Sequence, residues 1–112
     1  MDTKGKHLLC DIWLDESVSD ELVKKITDVI DTNLTVMNRS SYKFEPEGLT
    51  VAYILAESHF TMHTYPESNY LSVDIYICSN DFDLDLLLVK MLDGLKVRKL
   101  TKKLVIRGIE QE

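Results

Sequence analysis

A chain of 112 residues, 45% hydrophobic and 29% charged, has room for one core and for no second domain. Its formal net charge of −6 argues against nucleic acid as a partner, because phosphates call for clustered Lys and Arg. The acidity is uneven. Residues 1–95 carry 7 basic and 17 acidic side chains, whereas 96–112 carry 6 basic and 2 acidic. An acidic body suits a cationic substrate. The basic tail reads as a lysine-guarded edge strand, with an anion site as the alternative.

The longest purely aliphatic stretch, Leu86–Val89, falls far short of the ~20 residues a spanning helix needs. The first residues, Met-Asp-Thr-Lys-Gly-Lys-His, are polar and lack an apolar signal core. A cytoplasmic location, with no membrane partner, is therefore expected. Cys10 and Cys78 form no Cys-x-x-Cys pair and read as separate thiols in a reducing compartment, not as a zinc site. At this chain length an oligomer interface would help to bury apolar surface.

In chain order, His7–Leu14 alternates Leu8, Cys10, Ile12 and Leu14 against Leu9, Asp11 and Trp13, a strand pattern. Ser17-Val-Ser-Asp20 is a helix start of the capping-box type, and Leu22, Val23, Ile26, Val29 and Ile30 then recur at helical spacing over 19–32. Two β-rich runs, Leu34–Phe44 and Leu49–Leu55, flank the turn Glu45-Pro46-Glu47-Gly48, which predicts a hairpin. His59–Tyr65 and Tyr70–Cys78 follow, parted by Pro66-Glu67-Ser68-Asn69. Asp81 is the expected cap of a second helix over 82–93 with Leu84, Leu87, Leu88 and Met91 on one face; Gly94 ends it. Val97–Ile106 is the last strand. The order β-α-β-β-β-β-α-β, with short turns between successive strands, predicts an α+β two-layer sandwich: an antiparallel sheet with two helices on one face.

Within Ala56-Glu57-Ser58-His59-Phe60-Thr61-Met62-His63-Thr64, alternation places Ser58, Phe60 and Met62 on one side and His59, Thr61 and His63 on the other. No Gly-x-Ser-x-Gly elbow surrounds Ser58, so a hydrolase triad has little support. His59 and His63 would share a metal on a helix; on a strand, at ~3.3 Å per residue, they lie about 13 Å apart and cannot. By themselves these are ordinary residues of a half-solvated strand.

The stretch LAESHFTMHTYPE, followed by NYLSVDIYIC, resembles the prokaryotic S-adenosylmethionine decarboxylase family. Gly5-Lys6-His7-Leu8-Leu9 and Tyr42-Lys43-Phe44 resemble it too, and in order and spacing the likeness covers most of residues 5–108. The resemblance implies self-cleavage between Glu57 and Ser58 into a β chain (1–57) and an α chain (58–112). Ser58 Oγ attacks the Glu57 carbonyl, the peptide becomes an ester, and β-elimination followed by hydrolysis leaves a pyruvoyl group at position 58. That group would form a Schiff base with the substrate amine and act as electron sink for decarboxylation, the task pyridoxal phosphate performs elsewhere. No pyridoxal phosphate and no metal is expected.

By the same resemblance, His63 removes a proton during processing and Cys78 returns one to the decarboxylated carbon, roles their chemistry allows. Phe44 matches an aromatic that stacks on adenine, and Glu67 a carboxylate that binds ribose hydroxyls. Phe60 and Tyr65 are candidate pocket walls. The family's Gly-Val-Ser-Gly is here Gly48-Leu49-Thr50-Val51, so a processing hydroxyl survives on Thr50. The usual Trp or Phe before Pro-Glu is Tyr65, the Gly before the strand tyrosine is Asn69, and the Gly after the cysteine is Ser79. None of these departures removes a catalytic group.

The implied enzyme is an S-adenosylmethionine decarboxylase supplying spermidine synthesis, as a homodimer of processed protomers with sites near the subunit interface. The alternatives are a pyruvoyl decarboxylase of ornithine or arginine, and an unprocessed regulatory paralogue. Retention of Ser58, His63 and Cys78 together weighs against the last.

Overall fold

The computed structural model describes residues 4–79 and 81–110. The elements are β1 (Gly5–Leu14), α1 (Asp20–Asn33), β2 (Val36–Lys43), β3 (Leu49–Leu55), β4 (Ser58–Tyr65), β5 (Tyr70–Ile77), α2 (Leu84–Leu92) and β6 (Val97–Arg107), with a 3-10 turn at Pro66–Ser68. They form one six-stranded sheet in the order β2-β3-β4-β5-β1-β6, every neighbouring pair antiparallel. Strands β2 to β5 run as a meander. Strand β1 joins the free side of β5, and β6 closes against β1 as an edge, where its lysines stand as expected.

Period-two alternation decides which sheet face is covered. Leu8, Cys10, Ile12 and Leu14 of β1, Phe60 and Met62 of β4, and Leu71, Val73, Ile75 and Ile77 of β5 are buried on one face. Leu22, Ile26 and Ile30 of α1 and Leu84, Leu87, Leu88 and Met91 of α2 close the same core from the helix side. Each fully buried aliphatic or aromatic side chain contributes about 1.5–3 kcal/mol over its exposed state, which commits this face to the helices. The opposite face carries His7, Asp11, His59, Thr61, His63, Ser72, Asp74 and Tyr76, with no element laid over it among the described residues.

Both helix caps lie two residues later than the sequence pattern predicts. Ser19, not Ser17, caps α1, its side chain accepting from the Leu22 amide at 3.1 Å. Asp83, not Asp81, caps α2 and accepts from the Leu86 amide at 3.0 Å. In each case the later cap still leaves an acid in the first turn, Asp20 and Glu21 or Asp85, where the helix dipole favours it.

Candidate active site

The β3–β4 hairpin turns through two residues only, because Leu55 pairs directly with Ser58. Two-residue hairpin loops require left-handed backbone, normally from Gly or Asn. Here Glu57 adopts it, at φ 59°. An L side chain in that region costs about 1–2 kcal/mol, so the peptide bond before Ser58 follows a strained residue. The left-handed residue is the one whose carbonyl Ser58 would attack. Asn69, the other non-glycine residue with positive φ among those described, sits at 49° where the resemblance expects glycine.

Ser58 is half-buried, and its Oγ accepts a hydrogen bond from the Cys78 amide at 3.0 Å. Cys78 is a half-buried free thiol, whereas Cys10 is buried in the core and its thiol is pushed up to about 11, chiefly by desolvation. The neighbouring Cys78 side chain, followed by desolvation, raises the Tyr76 phenol above its usual range. Glu57, Ser58 and Cys78 thus gather at one end of the sheet.

A second cluster occupies the other end of the same hairpin. Thr50 and His63 pair across β3 and β4, and Thr50 Oγ1 lies 2.8 Å from His63 Nδ1. They border a cavity of about 370 Å³ that is also lined by Phe44, Tyr65 and Glu67. Gly48, at φ 111°, lets the β2–β3 connection turn beside this cavity, and Phe44 closes that turn by donating its amide to the Gly48 carbonyl at 2.8 Å. Five residues expected at the site therefore meet in one pocket, and that pocket does not contain Ser58.

One expectation fails. Phe60 is wholly buried on the helix side of β4, in edge-to-face contact with Tyr53. It has no surface to offer a ligand, and it is a core residue where a pocket wall was expected. The alternation that separates it from His59 and His63 already carried this answer.

Sequence spacing missed a polar group on the uncovered face of the sheet. Asp74 bonds His7 Nε2 and lies 3.4 Å from His59 Nε2. The donor atoms of these three side chains lie within 4.8 Å of one another, a cation-capable arrangement. Tyr76 stands between the two imidazoles, with ring centroids 5.6 Å from His7 and 5.7 Å from His59. Alternation alone puts Asp74 and Tyr76 on one face; only the β1–β5 register brings His7 beside them.

Residues 7–108 match the family model described as S-adenosylmethionine decarboxylase. The chain belongs to the S-adenosylmethionine decarboxylase family. It is 34% identical to S-adenosylmethionine decarboxylase proenzyme 2 of Bacillus cereus, covering 96% of this chain and 91% of that one. It is 33% identical to the S-adenosylmethionine decarboxylase proenzyme of Clostridium botulinum, over 96% and 97%. Its fold matches the crystal structure of the adenosylmethionine decarboxylase from Aquifex aeolicus with a TM-score of 0.81 and 27% identity, over 100% and 97% of the two chains. The Trypanosoma brucei AdoMetDC-delta26 monomer shares the fold alone, at TM-score 0.61 and 14% identity, with 44% of that chain covered. Within the S-adenosylmethionine decarboxylase family match, residues 7–108 take in both clusters of the hairpin.

Proposed function

We propose that this chain is a proenzyme that cuts itself between Glu57 and Ser58 and then decarboxylates S-adenosylmethionine. The observation that carries the reading is the left-handed Glu57 directly before a serine whose oxygen rests on the Cys78 amide. Strain at Glu57 is relieved as the Glu57–Ser58 C–N bond breaks and a C–O bond to Ser58 Oγ forms, freeing the amine. The Cys78 amide holds that oxygen in place. Elimination then needs a base for the Ser58 α-proton, and His63, an imidazole oriented by Thr50, can serve as that base.

Residue 58 suits a pyruvoyl group because it lies at the end of a tight turn, half-exposed and beside a free thiol. Such a group supplies an electron sink for loss of carbon dioxide. The chain's own residues do the rest. Cys78 protonates the carbon that lost carbon dioxide, Phe44 and Tyr65 offer aromatic surface for the adenine, and Glu67 accepts from ribose hydroxyls.

The separation of the two clusters supports a homodimer. His63 is five residues from Ser58 along β4, about 16 Å at ~3.3 Å per residue, too far for proton transfer. Two copies facing each other through the uncovered sheet face would bring one copy's Thr50–His63 cavity to the other's Ser58. Leu9, Ile54 and Tyr65 are exposed apolar residues on that face and would be covered. A cytoplasmic enzyme feeding spermidine synthesis is the setting we propose.

The test pairs denaturing intact-mass measurement with decarboxylation of S-adenosylmethionine, ornithine and arginine, using Ser58→Ala as control. Two fragments divided at Glu57–Ser58 and turnover of S-adenosylmethionine alone are expected. A single uncut chain after long incubation would remove the proposal.

A further inference from the structure

We infer that His7, Asp74 and His59 form a binding site for one divalent transition-metal ion of the zinc, cobalt or nickel class. The site does not depend on self-cleavage or on decarboxylation. Local spacing hides it, because His59 and His63 stand too far apart along β4 to share an ion. The sheet supplies other partners. His7 on β1 and His59 on β4 lie opposite Tyr76 from its two sides, and Asp74 stands two residues away on β5, on the same face. Each imidazole thus reaches the carboxylate diagonally, from a strand about 4.7–4.9 Å away.

The donor atoms converge on one point. His7 Nε2 bonds Asp74 Oδ1, and His59 Nε2 lies 3.4 Å from that same oxygen. All three donors lie within 4.8 Å of one another. Ligands held ~2.0–2.1 Å from a tetrahedral ion are about 3.3 Å apart, so His59 and Asp74 already stand at ligand spacing. His7 completes the set when the ion takes the place of its hydrogen bond to Asp74. Side-chain exposures of 16% for His7, 35% for Asp74 and 40% for His59 leave the group shielded yet reachable. Tyr76 packs against both imidazoles and restrains them, with ring centroids 5.6 and 5.7 Å from theirs. Two nitrogens and one oxygen suit borderline ions, whereas magnesium and calcium take oxygen donors. The bound ion ties β1 to β4 across β5.

The test is titration of untagged, metal-free wild-type protein and of Ser58→Ala, with Co2+ read by visible absorbance and Zn2+ read by calorimetry and thermal unfolding. Both proteins should take up one ion per chain, undisturbed by millimolar Mg2+, and Tm should rise by several degrees at saturation. His7→Gln, His59→Gln and Asp74→Asn should each weaken uptake more than about a hundredfold, since losing even an outer partner of a ligand costs about 10–100-fold. Circular dichroism checks that each variant is folded, and three variants on three strands keep the test readable if one is not. His63→Gln, which alters the third histidine, should bind as the wild type does, and so should Cys78→Ser. No saturable uptake by either protein, or uptake undiminished in all three ligand variants, overturns the inference. So does loss of uptake in Cys78→Ser with the ligand variants unaffected, which would put the ion on the thiol. A wild-type chain that stays uncut but binds Co2+ through these three residues would remove the proposed function and leave the site standing.

Discussion

His63 and Ser58 share β4 but do not share a site. The imidazole points to the uncovered sheet face and bonds Thr50, while the Ser58 oxygen sits five residues away on the Cys78 amide. If His63 serves a partner's Ser58, two dead proteins should rescue each other. Ser58→Ala and His63→Ala are each expected to stay uncut when expressed alone. Co-expressed, the chain carrying His63→Ala still has Ser58, and it should be cleaved by His63 of its Ser58→Ala partner. The check is intact mass of the mixed sample. No cleavage in the mixture would place the base within the same chain, or elsewhere.

Glu57 gives a test of stored strain. Glycine adopts φ near 59° without the clash that an L side chain meets, so Glu57→Gly should stabilise the uncut chain by about 1 kcal/mol. If that strain drives the acyl shift, the same change should slow self-cleavage several-fold. Denaturant unfolding of the Ser58→Ala form, with and without Glu57→Gly, measures the first effect. A time course of fragment appearance measures the second.

Local patterns made the layers and most elements legible. Alternation in β1, β4 and β5 and the apolar spacing of both helices dictate which face is buried, and β3 runs from Leu49 to Leu55 as its composition predicts. Cap positions slipped because Ser17 and Ser19, or Asp81 and Asp83, are equivalent by propensity; only the packing of the first turn chooses between them. The site was legible one residue at a time but not as a geometry. Ser58, His63 and Cys78 could be named, yet their division into two clusters depends on β4 being straight. The His7–Asp74–His59 group depends on β1 lying beside β5, sixty-odd residues away in sequence, and no local pattern carries that.

The cavity beside His63 predicts how substrate affinity is distributed. Phe44→Ala removes an exposed aromatic surface from it, and Glu67→Gln removes the charge on an acceptor at its rim. Each should raise KM for S-adenosylmethionine about tenfold, the scale of one base stack or one charged hydrogen bond. Cleavage at Ser58 should be unaffected, since neither residue lies in the Glu57–Ser58–Cys78 cluster. Steady-state kinetics alongside intact mass checks both statements.

Phe60 should behave in the opposite way. It is among the largest fully buried side chains and touches the core on every side, so Phe60→Ala leaves a cavity worth about 3–5 kcal/mol of stability. At a temperature where the variant remains folded, KM should stay at the wild-type value. Thermal unfolding and kinetics on the same preparation separate this from a role in the pocket.

Cys10 predicts a pH dependence of stability with a definite sign. Burial is the main reason its thiol is raised from 9.0 to about 11; Asp11 and Asp85 add to it, and Lys102 opposes it. Between those values the unfolded chain releases the proton and the folded chain keeps it, so rising pH favours unfolding. The contribution is fully present below about pH 9 and is lost on the way to about pH 11, a change of roughly 2–3 kcal/mol. In Cys10→Ala this component disappears. Its unfolding free energy should be lower at neutral pH, from the lost packing, and should fall less steeply across the alkaline window. Lys102, Tyr70 and Tyr76 titrate in both proteins, so the difference between the two pH profiles isolates the thiol. Parallel profiles would mean that Cys10 reaches solvent more readily than its 3% exposure implies.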